Sequence, residues 1–308
     1  MFSSSKFYSE AVERVRNEVR GRAIAAISGG IDSTVATKIA SDALGDALLA
    51  IYVDTGLMRE GEEDEVANTL KMLHINYKIL HRSSLFLDNL SGVTDPEEKR
   101  KIIGNTFIKV FEEEADKFGA KYLVQGTIAP DWIESGGGIR DRIKSHHNVA
   151  GLPEHLNISI VEPLRDLYKD EVRKIATYLG IPPQRQPFPG PGLAVRIMGE
   201  VTKERVELLR KATAILEREI SAMEDKPWQY FAVLLSDRST GIHGDRRVYG
   251  NTIAIRCVNS TDGMTANFTP MPYELLSRIS SEITNSIPEI TRVVYDITNK
   301  PPATIEWE

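Results

Sequence analysis

Apolar residues recur every four positions at the start of the chain, at Phe7, Ala11, Val15 and Val19, which sets them on one face of a helix that Gly21 ends. The pattern then changes. Ala23-Ile24-Ala25-Ala26-Ile27 is a short unbroken apolar run, the mark of a strand buried on both faces, and a Ser/Gly loop separates it from a helical stretch, Thr34 to Leu44. A second such strand, Ala47 to Val53, leads to the turn Asp54-Thr55-Gly56. The alternation continues with helix Glu62 to Leu73, strand Tyr77 to Leu80, helix Pro96 to Phe118 and strand Lys121 to Val124. Beyond a Gly-rich stretch come strand Ile158 to Val161 and helix Lys169 to Leu179. Strands alternating with helices predict an α/β fold with a doubly wound, mostly parallel sheet. Its ligand belongs at the carboxyl ends of the strands, where the Ser28 loop and the Asp54 turn both fall.

The pattern shifts at Ile181-Pro182-Pro183. Three prolines and two glycines follow in Pro187-Phe188-Pro189-Gly190-Pro191-Gly192, which forbids helix and central strand. We place a domain boundary here, between residues 1–183 and 184–308. Composition alone favours a stiff linker over a rigid loop that offers backbone groups to a ligand. Helix Lys203 to Met223, strands Tyr230 to Leu235 and Thr252 to Val258, helix Pro272 to Asn285 and strand Arg292 to Ile297 complete the chain. Without βαβ repetition, these form a smaller α+β domain.

Composition narrows the function. At 308 residues with 41% hydrophobic content the chain can bury a sizeable core, and no apolar run reaches bilayer length. The polar start is unlike a signal peptide, so a cytoplasmic protein with no membrane partner is expected. The net charge of -6, without any concentrated basic stretch, argues against nucleic acid as a partner. Cys257 is the only cysteine, has no disulfide or CxxC partner, and sits in a strand-like setting that suits a structural role.

The strongest chemical signal is Ser28-Gly29-Gly30-Ile31-Asp32-Ser33-Thr34 after a buried strand. Gly29 and Gly30 permit positive φ and close backbone approach to a ligand, the helix that follows presents free N–H groups to an anion, and Ser28, Ser33 and Thr34 add hydroxyl donors. There is no Walker lysine and no GxGxxG spacing. Asp32 beside phosphates would repel them unless a cation intervenes, which implies Mg²⁺.

This string resembles the pyrophosphate loop of the N-type ATP pyrophosphatases, with their adenine nucleotide alpha hydrolase-like fold. Within that superfamily the chain resembles the synthetase part of the GMP synthase family. Three further stretches carry the likeness, Gln125 to Ser135, Ile143 to Pro153 and the Pro187 to Gly192 loop, together with the terminal Lys300-Pro301-Pro302-Ala303-Thr304-Ile305-Glu306-Trp307-Glu308. The resemblance implies that Ser28 to Thr34 holds the pyrophosphate of ATP, with Asp32 near Mg²⁺ and adenine beside Val53. It implies that Lys144 lies on a segment that closes over the reacting nucleotides and offsets their charge. It also implies that xanthosine monophosphate (XMP) meets Pro189, Gly190, Arg247, Lys300, Ile305 and Glu306, and that the second domain forms a homodimer.

Departures are few: Gln186 stands where the family often has histidine, and Ala150 where a glycine is usual. The implied reaction is adenylylation of XMP at O2 followed by amination with ammonia. A glutamine amidotransferase needs a reactive cysteine in a Gly-x-Cys-x-Gly turn, which Cys257 does not occupy, so a separate amidotransferase subunit is the expected partner. A tRNA-modifying relative and a nucleotide sensor without catalysis are the competing readings; the first lacks an RNA-binding footprint, and the second would bind nucleotides without releasing pyrophosphate.

Overall fold

The computed structural model describes residues 2–129, 158–182, 186–261 and 263–308. They fall into two compact units, Met1–Asp54 with Gly61–His81 and Asn105–Gln184, and Thr55–Glu60 with Arg82–Gly104 and Arg185–Glu308. The second unit thus takes up two early segments that no change of composition marks.

In the first unit α1 (Ser4–Glu18) is capped by Ser3, whose hydroxyl accepts from the Lys6 N–H. The strands are β1 (Ala23–Ile27), β2 (Leu48–Asp54), β3 (Tyr77–His81), β4 (Tyr122–Val124) and β5 (Ser159–Val161), all parallel, in the order β3-β2-β1-β4-β5. This is the doubly wound arrangement expected, and its order reverses between β1 and β4. A crevice opens at such a reversal, beyond the strands' carboxyl ends. Ala23, Ala25, Ile24 and Ile27 are buried, as a central strand covered on both faces must be. The helices α2 (Ile31–Leu44), α3 (Glu62–Met72) and α5 (Pro96–Phe118) fall near their expected positions, and α4 (Ser83–Asn89) is an addition. A further helix, α6 (Lys169–Tyr178), packs with α1 and α2.

The second unit carries α7 (Lys203–Ser221), β6 (Gln229–His243), β7 (Arg246–Asn259), β8 (Asn267–Phe268), α8 (Tyr273–Ser286) and β9 (Ile290–Asp296). β7 pairs antiparallel with β6 and β8, and parallel with β9. The domain is α+β as expected, although one parallel crossover, β7 to β9 by way of α8, stands within it. β6 and β7 run well past the strands read from the sequence, to a turn at Gly244, whose φ is +57°. This outer arm is exposed and leaves Ile242 and Tyr249 open to solvent, 71% and 61% exposed. No helix among the described residues is long and apolar enough to cross a membrane.

Candidate active site

The Ser28 loop joins β1 to α2, and its geometry sharpens the roles of its residues. α2 starts at Ile31, three residues before the expected Thr34, with Gly30 as a cap that offers no side chain. The first turn of the helix therefore keeps N–H groups that no side chain caps, and carries the partial positive charge of a helix start. Gly29 takes the positive φ, +78°, whereas Gly30 is extended at φ -75°. Gly30 instead leaves room beside Ser28: a Cβ there would lie a tight 3.1 Å from the Ser28 hydroxyl oxygen, which would have to shift.

The hydroxyls also divide their work. Ser33 and Thr34 each donate to the Gly30 carbonyl at 2.9 Å, so their protons brace the loop rather than face a ligand. Ser28 Oγ accepts from Gly30 N–H at 3.3 Å and lies 3.2 Å from Ser33 Oγ. Because the Ser33 proton is already used, Ser28 holds the one hydroxyl proton of the loop that a phosphate oxygen can recruit without unbracing it.

Asp32 is the polar centre of this loop. Lys169, the first residue of α6, donates its ammonium to Asp32 Oδ2 at 2.5 Å. Asp32 Oδ1 is buried and has no hydrogen-bond partner among the described residues. A buried carboxylate oxygen without a partner is costly and marks a place where a donor or cation belongs. The carboxylate thus fits a divalent ion held with phosphates, as the sequence implied. Lys169 is a residue the sequence reading missed: it stands 137 positions away, and only the fold brings it to the loop.

At the end of β4, Gly126 lies against the same turn. A Cβ there would sit 2.6 Å from the Asp32 carbonyl carbon and from Ser33 N, both backbone atoms that cannot swing aside. Gly126→Ala is expected to displace the loop, costing about 1–3 kcal/mol in stability, and to weaken nucleotide binding measured by ATP titration calorimetry. Unchanged ATP affinity would show that this tight approach is dispensable.

Val53 is buried in β2, paired in register with Leu80, so its backbone is what it can offer a base. At the neighbouring strand ends Asp54 and His81 pair in register, and His81 Nδ1 lies 3.5 Å from Asp54 Oδ2 and 3.4 Å from Glu63 Oε2. Each of these side chains has a donor atom within 4.8 Å of the others, a set able to hold a divalent ion.

The residues expected around a second nucleotide lie in the second unit, and the structure brings only some of them together. The Pro187 to Gly192 loop is anchored rather than a free linker. Gly192 N–H donates to Pro189 O at 2.9 Å, Leu193 N–H to Leu57 O at 2.7 Å, and Gln229 Nε2 to Pro187 O at 3.3 Å. Gly192 takes φ +64°, and a Cβ there would lie 2.4 Å from Leu57 O, which forbids any other residue. The Phe188 ring is approached by the guanidinium groups of Arg59, at 4.5 Å, and Arg196, at 5.2 Å. Gln186 links Glu217, to which its Nε2 donates at 2.9 Å, with Tyr230 N–H, which donates to its Oε1 at 2.6 Å.

The terminal segment is ordered by buried cations. Arg196 is 0% exposed and grips Glu306 with two bonds, Nε to Oε2 at 2.9 Å and Nη2 to Oε1 at 2.8 Å. Gln229 Nε2 adds a third bond to Glu306 Oε1 at 2.9 Å. Arg256, also 0% exposed, donates to Ile305 O, Thr304 O, Thr298 O and Asp296. Lys99 pairs with Glu308 and donates to Ile197 O at 2.7 Å. Burial pushes the Lys99 ammonium below the usual lysine range, opposed by its contact with Glu308. The side chain of Ile305 packs against Phe231, Val233 and Ala254.

Glu306 therefore sits with the Pro187 to Gly192 loop through shared Arg196 and Gln229 contacts, both of its carboxylate oxygens already engaged, while Ile305 is held beside it by Arg256 and the apolar cluster. Lys300 donates to Gly263 O at 2.8 Å. Arg247 is elsewhere, exposed on the hairpin arm and paired with Ile242, and no described contact joins it to the terminal segment. Lys144 and the whole Ile143 to Pro153 stretch lie outside the described residues. Cys257 is buried in β7, and burial pushes its thiol up to about 12, the opposite of an activated nucleophile.

Comparisons with known proteins follow the same division. Residues 217–307 match the family described as GMP synthase C terminal domain, and residues 18–182 match the family described as Thiamine biosynthesis protein (ThiI). The chain is 58% identical to the B subunit of the glutamine-hydrolyzing GMP synthase of Thermoplasma volcanium, covering 99% of this chain and 100% of the relative. It is 55% identical to the corresponding protein of Pyrococcus horikoshii, over 98% of this chain and 99% of the relative. With that of Methanococcus vannielii it shares 52% identity over 100% of both.

Proposed function

Since the chain belongs to the family of GMP synthase B subunits, we propose that it is the synthetase half of a two-subunit enzyme that converts XMP to GMP. O2 of XMP attacks the α-phosphate of ATP, pyrophosphate leaves, and ammonia displaces AMP from C2 of the adenylylated base. The observation that carries this reading is the Ser28 loop, a helix start without a side-chain cap and with a buried Asp32 oxygen that has no partner among the described residues, set at the reversal point of a parallel sheet.

In this reading residues 1–183 bind ATP and 184–308 bind XMP and form the homodimer. Within the Ser28 to Thr34 loop, the backbone N–H groups of the first turn of α2, from Ile31 to Ser33, and the Ser28 hydroxyl face the pyrophosphate, and Val53 presents its backbone to adenine. Asp32 holds Mg²⁺, which supplies charge neutralisation on the phosphates when bound. Lys144 covers the reacting groups with positive charge. Pro189, Gly190, Ile305 and Glu306 form a rigid wall for XMP, with Lys300 as a cationic contact and Arg247, which stands apart on the hairpin arm, as the second cation assigned to it. The protein contributes positioning and electrostatic stabilisation, with no covalent nucleophile. Exposed Ile242, Tyr249 and Ile297 are apolar side chains that suit burial between two copies. The enzyme works in the cytoplasm with a separate glutamine amidotransferase, and neither nucleic acid nor membrane is a partner.

The buried, inert Cys257 supports the need for that second protein. Purified chain supplied with ATP, Mg²⁺ and XMP is expected to form GMP with ammonium and none with glutamine. Silence with ammonium sinks the proposal, and turnover with glutamine alone sinks its two-subunit part.

A further inference from the structure

The Asp32–Lys169 pair has a consequence for how the metal enters. Lys169 Nζ takes Asp32 Oδ2 at 2.5 Å while Asp32 Oδ1 stays buried, with no hydrogen-bond partner among the described residues. The lysine is the first residue of α6 and is 43% exposed along its side chain, so it can leave the carboxylate without breaking helix or core. The carboxylate cannot move in the same way. Its backbone is pressed by Gly126 and its neighbours are braced on the Gly30 carbonyl.

We propose that Lys169 is the resting counter-ion of Asp32 and competes with the divalent cation for this carboxylate. The inference rests on Asp32 as a metal ligand. A fixed anion facing a site built for phosphates would repel an incoming nucleotide. The ammonium cancels that charge in the free protein and keeps a bare cation from settling there. A metal that arrives with a nucleotide brings enough added phosphate contact to displace the ammonium. Lys169 is a positioning residue, and its effect is on the order of binding: metal and nucleotide enter together.

The test is Mn²⁺ binding to the full chain, followed by the loss of the free-ion signal in electron paramagnetic resonance, with and without ATP. Lys169→Met is expected to bind Mn²⁺ roughly fivefold tighter than the native chain in the absence of nucleotide, the factor set by release of one partly exposed ion pair. Lys169→Arg, which keeps the charge, is expected to match the native chain. In Asp32→Asn/Lys169→Met the gain vanishes, while any ion on Asp54, Glu63 and His81 remains as a constant background.

Equal nucleotide-free affinity in the native chain and Lys169→Met overturns the competition, provided Asp32→Asn removes the ATP-dependent ion. If that ion survives Asp32→Asn, Asp32 is no metal ligand and the reading beneath the proposal fails instead. Thermal unfolding of each variant confirms that the compared proteins are folded.

Discussion

Replacing Glu306 by alanine is expected to destabilise the protein by about 3–5 kcal/mol, the cost of stripping the partner from a buried charge. Arg196 is 0% exposed and gives two of its donors to this one carboxylate. Its guanidinium lies over Phe231 at 4.1 Å and beside Phe188 at 5.2 Å, aromatic rings that offer no acceptor in place of the carboxylate. Gln229 loses an acceptor at the same time. Glu306→Gln keeps an acceptor without the charge and belongs between the native protein and alanine. Urea unfolding measures the difference, and a loss below about 1 kcal/mol would mean that Arg196 finds another anion. This prediction also separates two roles. Glu306 was expected to touch XMP, and its carboxylate is first of all the ion that lets Arg196 be buried under the Pro187 to Gly192 loop.

The second large effect falls on chemistry. Asp32→Ala is expected to lower XMP-dependent pyrophosphate release roughly a thousandfold, the scale seen when a group that stabilises transition-state charge is removed. The substitution also frees Lys169, whose positive charge near the phosphates does not replace the fixed position of a divalent ion. Melting close to that of the native chain is expected, because one oxygen of Asp32 has no partner among the described residues and the other loses only a partly exposed lysine. Near-normal turnover would refute the metal role of this carboxylate.

The regular parts of this fold were legible because burial imposes a pattern. Ala23 to Ile27 and the strands beside it are unbroken apolar runs, and they proved to be the centre of the parallel sheet. The start of α2 was misread by three residues for a physical reason. Ser33 and Thr34 are residue types that cap helices, yet both hydroxyls bond back to Gly30 O from inside the first turn. The hairpin arm from Ser236 to Asn251 was invisible, since its few apolar side chains, such as Ile242 and Tyr249, are exposed and its partly covered positions are mostly small or polar, so no apolar alternation marks it.

The site was legible where it is local and hidden where it is made by the fold. Ser28 to Thr34 announces a phosphate cradle within seven residues. Lys169 gives no such sign, because a lysine opening an amphipathic helix is read as solvated surface. The same default concealed Lys99, Arg196 and Arg256, three charged side chains that are 0% exposed. Their partners come from the terminal segment, from Asp296 at the end of β9 and from backbone carbonyls, and no spacing rule connects them. The resemblance to GMP synthases named Ile305 and Glu306 without showing why they hold still. The buried cations supply that reason.

The central claim is that the Ser28 loop presents the α-phosphate of ATP to O2 of XMP. It is tested most directly by running the ammonia-dependent reaction with XMP carrying oxygen-18 at O2. Attack at the α-phosphate predicts that the label leaves in the phosphate group of AMP, with pyrophosphate unlabelled and GMP free of it at C2. Label recovered in pyrophosphate, orthophosphate or water would contradict the account, because O2 would then have left C2 without ever becoming bonded to the α-phosphorus.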